Sequence, residues 1–79
     1  MAITADQIRM ARAALRWGVR DLATKAQVSP NTVSRIEGDQ DANAATLAAI
    51  QGALEKAGVV FIDSNGGGPG VRLKRKPKR

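Results

Sequence analysis

A serine–proline pair at positions 29 and 30 and a glycine at 38 bracket the stretch "NTVSRIE", which leaves room for one short helix. Ser29 is an N-cap residue whose side-chain oxygen accepts an N–H of the first turn. Pro30 stands at the first helical position, where its missing N–H costs nothing. Gly38 supplies the stop. Inside these limits Val33 and Ile36 form one apolar stripe, and Asn31, Ser34 and Arg35 form a polar face that the protein's own core does not need. A second short helix precedes it, from Val19 to Ala26, with Leu22, Ala23 and Ala26 inward and Asp21 in its first turn facing the helix dipole favourably. Gln27 and Val28 form the turn between the two.

The flanking segments follow the same grammar. "ITADQIRMARAALRW" opens with Thr4 as a cap and Gln7 three residues later, a capping box, with Ile3 and Ile8 at the two positions of a hydrophobic staple. Ile8, Ala11 and Leu15 mark the buried stripe, while Arg9, Arg12 and Arg16 repeat that spacing one residue round. Gly18 is expected to end this helix and begin the next. "DQDAN" is a polar loop with Asn43 as a cap, and Leu47, Ile50, Leu54 and Ala57 define a fourth helix ended by Gly58. Gly52 inside it costs about 1 kcal/mol relative to alanine, which a close helix contact would explain.

The pattern then changes. "VVFID" is β-branched and aromatic and reads as a strand; "SNGGGPG" is a loop; "VRLK" is a return strand with Val71 and Leu73 on one face. "RKPKR" has nothing apolar to bury and is expected to be disordered. The chain is therefore mainly α, a four-helix unit over residues 1–58, a β-hairpin over 59–73 and a basic tail over 74–79.

Composition narrows the chemistry. Seventy-nine residues make one small domain with a thin core. Cysteine and histidine are both absent, which removes disulfides, thiolate metal sites and the commonest general base. Ser29, Ser34 and Ser64 have no histidine to activate them, and the carboxylates are scattered. "GGGPG" lacks the Gly-Lys-Ser/Thr ending and following helix of a phosphate cradle. Neither an enzyme nor a cofactor or metal site is expected. No apolar run approaches the length of a transmembrane helix, and no signal peptide opens the chain, so a cytoplasmic location with no membrane association is expected. Trp17 reads as the end of the core over the first two helices.

The net charge of +6 is segregated. Through Val71, Arg9, Arg12, Arg16, Arg20, Lys25, Arg35 and Lys56 balance Asp6, Asp21, Glu37, Asp39, Asp41, Glu55 and Asp63. The excess lies in Arg72, Lys74, Arg75, Lys76, Lys78 and Arg79, and such a tail suits a polyanion.

The run "DLATKAQVSPNTVSRIEG" resembles the helix-turn-helix of the Cro/phage-repressor (XRE-type) family of bacterial DNA-binding regulators, through "LA" in helix two, "VS" at the turn and "VSRIEG" closing helix three. The resemblance covers about Thr4 to Ala57. It implies a double-stranded DNA operator, with two-fold symmetry, read by a homodimeric repressor. Pro30, Asn31, Ser34 and Arg35 occupy the groove-facing positions, and Arg12 and Glu37 match positions that often form an ion pair between helices one and three. The chain departs from the pattern at Gln27, where glycine is common, and at Gly18 and Val19, where a polar cap and glutamine are common; Arg20 is then the expected phosphate contact of helix two. Chemistry agrees. Asn31 can pair bidentately with adenine, Arg35 can reach guanine or phosphate, and Ser29 and Thr32 offer short hydroxyls to phosphate oxygens.

The family's fifth helix is missing, so the dimer interface is expected in the hairpin, at Val59, Val60, Phe61, Ile62, Val71 and Leu73, centred on Val60 or Phe61. The alternative is an antitoxin that binds a toxin protein through its C-terminal segment and autoregulates through the same DNA-binding core. An RNA-binding module is less favoured, because the chain has no aromatic stacking platform.

Overall fold

The computed structural model describes residues 3–64 and 66–74. Four helices, α1 (Ala5–Leu15), α2 (Val19–Ala26), α3 (Pro30–Glu37) and α4 (Ala44–Lys56), precede two antiparallel strands, β1 (Val59–Ile62) and β2 (Gly70–Leu73). The architecture is mainly α with a short hairpin, as the sequence pattern predicts. The basic residues Arg75, Lys76, Lys78 and Arg79 and the expected disorder of the tail lie outside the described residues.

Three of the helix starts are built by local side-chain caps. Thr4 Oγ1 accepts the Gln7 N–H at 3.1 Å while Gln7 Oε1 accepts the Thr4 N–H at 2.9 Å, completing the capping box. Ser29 Oγ accepts from the Thr32 N–H at 3.1 Å, and Asn43 Oδ1 accepts from the Thr46 N–H at 2.7 Å. α2 starts differently. Gly18 has no side chain to offer, and the Asp21 carboxylate reaches back to accept the Gly18 N–H at 2.7 Å.

The helix ends correct one expectation. α1 stops before Gly18, at Arg16, which takes the left-handed conformation with φ 59°. α3 stops at Gly38 as expected, with φ −92° there and the left-handed turn, φ 66°, at Asp39. Gln27 is left-handed with φ 60°, the conformation implied by the resemblance, which commonly has glycine there. A side chain in this region crowds the following carbonyl, so Gln27→Gly is expected to raise stability by about 1 kcal/mol despite the added freedom of the unfolded chain. Urea unfolding measures it; an unchanged or lower midpoint contradicts the strain.

Every element contributes to the interior except β2, whose Val71 packs at its edge. Ile8 and Ala11 of α1, Leu22, Ala23 and Ala26 of α2, Val33 and Ile36 of α3, Ile50 and Leu54 of α4, and Val59 of β1 are buried together. Ile3 joins them, so both staple positions are inside. Leu15, Trp17, Leu47, Phe61 and Val71 pack at the edge of this cluster. Gly52 does not have the expected helix contact. A Cβ there would meet nothing within 4 Å, and nothing in the structure explains the glycine.

In the hairpin, Val59 pairs with Leu73, Val60 with Arg72, Phe61 with Val71, and Ile62 with Gly70. Opposite residues share a face and faces alternate along a strand, so Val59, Phe61, Val71 and Leu73 form one face. This face packs inward, with β1 against α4 and β2 against α1. Val60, Ile62, Gly70 and Arg72 form the outer face. Buried Gln7 fixes the whole: its Nε2 donates to Ile62 O and to Gly70 O, each at 3.0 Å, one hydrogen to each strand.

Candidate nucleic-acid interface

The site begins with how α3 is held. Val33 and Ile36, three residues apart, turn one stripe into the core and are fully or almost fully buried. At the C-terminal end, the Glu37 carboxylate accepts Arg12 Nε at 2.9 Å and Arg12 Nη2 at 3.0 Å, a two-pronged pair from α3 to α1. Arg12 Nη1 also donates to Trp17 O at 3.1 Å, tying in the α1–α2 junction. The expected ion pair is present. Its hydrogen bond to Glu37, with the attraction between the charges, raises the Arg12 pKa against the opposing effect of burial.

Arg9, though partly exposed, pairs with Asp6 and donates to the Glu37 carbonyl oxygen, so a second α1 arginine reaches the C-terminus of α3. Arg16 remains exposed.

With one stripe and one end fixed, the rest of α3 faces outward. Pro30, Asn31, Ser34 and Arg35 are exposed and Thr32 is half-buried. Among the described residues, the side chains of Asn31, Ser34 and Arg35 have no hydrogen-bond or ion-pair partner. Arg35 borders a shallow polar groove shared with Thr32, Asn43, Thr46 and the carboxylate of Asp41. Ser29 and Thr32 are less free than their types suggest. Ser29 Oγ caps the helix and lies 2.9 Å from Thr32 Oγ1, so one hydroxyl hydrogen is used between them and one remains to donate outward.

Arg20 is exposed in the first turn of α2. The Asp21 carboxylate occupies the adjacent helix N-terminus, so an anion arriving there meets a negative charge as well as the dipole. Arg20 is the one cation of that turn.

The hairpin residues separate into two groups. Val59 is buried in the domain's own core and so cannot centre an interface with another chain, while Phe61 and Val71 are half-buried and pack against that core. The reason is the two-residue period of the strand, which commits alternate side chains to the helices. Half-buried Val60 and exposed Ile62 lie on the outer face, and Leu73 is exposed at the open end of the inner one. Arg72 and Lys74 are exposed.

Sequence reasoning missed two structural contacts near this site. Gln7 was legible as a capping residue, but its grip on the hairpin depends on partners 55 and 63 residues away. Arg9's bond to the Glu37 carbonyl had no local signal either. Among the described residues there is no helix long and apolar enough to cross a membrane, and no cluster of carboxylates suited to a metal ion.

No protein-family model matches the chain, and no curated protein matches it. What the helix pair can do is decided by its residues.

Proposed function

We propose that the chain is a sequence-specific double-stranded DNA-binding regulator of the Cro/phage-repressor type, a cytoplasmic homodimeric repressor that lays α3 in the major groove. One observation carries this reading: α3 is anchored by Val33, Ile36 and Glu37, and leaves Asn31, Ser34 and Arg35 exposed and unpartnered among the described residues. Polar side chains fixed on a rigid short helix match the donors and acceptors that each base pair displays in the major groove. Asn31 suits the N6 and N7 edge of adenine. Arg35 suits guanine or a phosphate, and Arg20 and the outward hydroxyl of the Ser29–Thr32 pair suit phosphates.

Selection of binding sites from random duplex DNA tests the reading. One sequence should be enriched, and Asn31→Ala should weaken binding to it by about 1–3 kcal/mol with little change on random DNA. Equal losses on both would make Asn31 a backbone contact. Failure to enrich any sequence would remove the reading.

The dimer belongs to the same proposal, and the hairpin's outer face carries it. Ile62→Asp tests this better than a change at Phe61, whose side chain supports the core. The wild-type chain should sediment as a dimer and the variant as a folded monomer. A wild-type monomer at all concentrations, or a variant that still dimerises, rejects this interface.

A further inference from the structure

Away from α3, a groove of about 260 Å³ opens between the α1–α2 junction, the last turn of α2 and the last turn of α4. Trp17, Lys25, Ala53, Lys56 and Ala57 line it. Ala53 and Ala57 stand four residues apart and give a small, flat apolar floor beside the indole, which itself rests on the core. Among the described residues no acidic side chain lines the groove, yet two lysines do.

The nearest carboxylates in sequence are engaged elsewhere. Asp21, one turn before Lys25, accepts the Gly18 N–H at 2.7 Å, and Glu55, beside Lys56, accepts Gln51 Nε2 at 3.0 Å. Neither lysine has an ion-pair partner among the described residues. A lysine in the last turn of a helix interacts favourably with the negative end of the dipole, which accounts for one on α2 and one on α4. It does not account for both lining the same groove, where an arriving anion meets two cations and no carboxylate.

We propose that this groove binds a small aromatic carboxylate. Its ring lies against the Trp17 indole and the two alanine methyls, and its carboxylate lies between Lys25 and Lys56. The volume falls just below the range of about 300–1,000 Å³ typical of clefts for drug-sized ligands, which fits a single ring system. This inference does not rest on the DNA-binding reading, and it stands or falls separately.

Trp17 is the one tryptophan and tyrosine is absent, so indole emission reports on this groove alone. Sodium benzoate, titrated at constant ionic strength, should change that emission saturably with a Kd on the order of 1 mM, the scale set by so few ligand atoms in an open groove. Lys25→Gln with Lys56→Gln should weaken binding by about tenfold, and benzyl alcohol should give no saturable change. Amide and indole NMR shifts in the wild-type protein locate the ligand whether or not the double variant folds; they should concentrate at Trp17, Ala53 and Ala57. A benzoate response that is linear and unchanged in the folded double variant overturns the proposal. So does an equal response to inorganic phosphate, or shifts centred elsewhere.

Discussion

Gln7→Glu is expected to lower stability by about 3–5 kcal/mol at neutral pH, enough to unfold a domain of this size substantially. Gln7 is almost completely buried, and its amide nitrogen has two hydrogens that go to two carbonyl oxygens, one on each strand. Glutamate replaces both donors with an oxygen that repels those carbonyls, and its charge has no cation beside it among the described hydrogen bonds. Burial and the carbonyl dipoles would raise the folded-state pKa of the new carboxyl above its unfolded value. The sign then follows. The deficit relative to wild type should be smallest below the unfolded value, about pH 4.3, where the neutral acid still donates one O–H. It should grow as pH rises through the raised folded value. Guanidinium unfolding of both proteins across pH measures this difference. A deficit that is small, or that shrinks as pH rises, would show that the side chain is not held as described. Gln7→Leu, which loses the bonds without adding charge, should cost less than glutamate at neutral pH.

Glu37→Ala is expected to cost about 2–4 kcal/mol. Its side chain is 8% exposed and that of Arg12 is 24% exposed, so removing the carboxylate strands a guanidinium that water reaches only in part. The partial access places the loss below that of a fully enclosed charge. Arg12→Met combined with Glu37→Leu should recover most of it, because packed apolar groups avoid the desolvation that the ion pair must offset. Thermal unfolding of the three variants provides the comparison; an alanine variant within about 0.5 kcal/mol of wild type would reduce the pair to a surface contact. The pair's arginine gives no neutral-range pH dependence. Its pKa is raised in the fold, so its contribution is present throughout the range below its ordinary value and is lost only as strongly alkaline pH passes the raised one.

What the sequence disclosed was mostly what adjacent residues decide together. Thr4 with Gln7, Ser29 with Pro30, and Asn43 each set a helix start through bonds spanning three residues, and all three starts are as expected. The inward stripes were legible for the same reason, since Leu22, Val33, Ile36, Ile50 and Leu54 recur with the helical period and are buried. Glycine misled where it was taken as the main end signal. Arg16 and Asp39 adopt left-handed conformations without being glycine. The hairpin's strands were visible, but the face it turns inward depends on α1 and α4, which no run of neighbouring residues encodes. For α3, the exposed polar face was legible from its one narrow stripe. The loss of one hydroxyl between Ser29 and Thr32 was not, because side-chain rotamers decide it.

The grip of Gln7 also bears on how the chain is made. The cap of the first helix is closed by a residue whose remaining two bonds go to Ile62 and Gly70. During synthesis α1 therefore emerges with an amide whose two partners, the carbonyls of Ile62 and Gly70, are added 55 and 63 residues later. The early helices can associate before then, but these two bonds close only once Gly70 has been added and can fold back on α1. A nascent chain stalled before Gly70 should remain open to protease, and one extended by a linker beyond Arg79 should be protected.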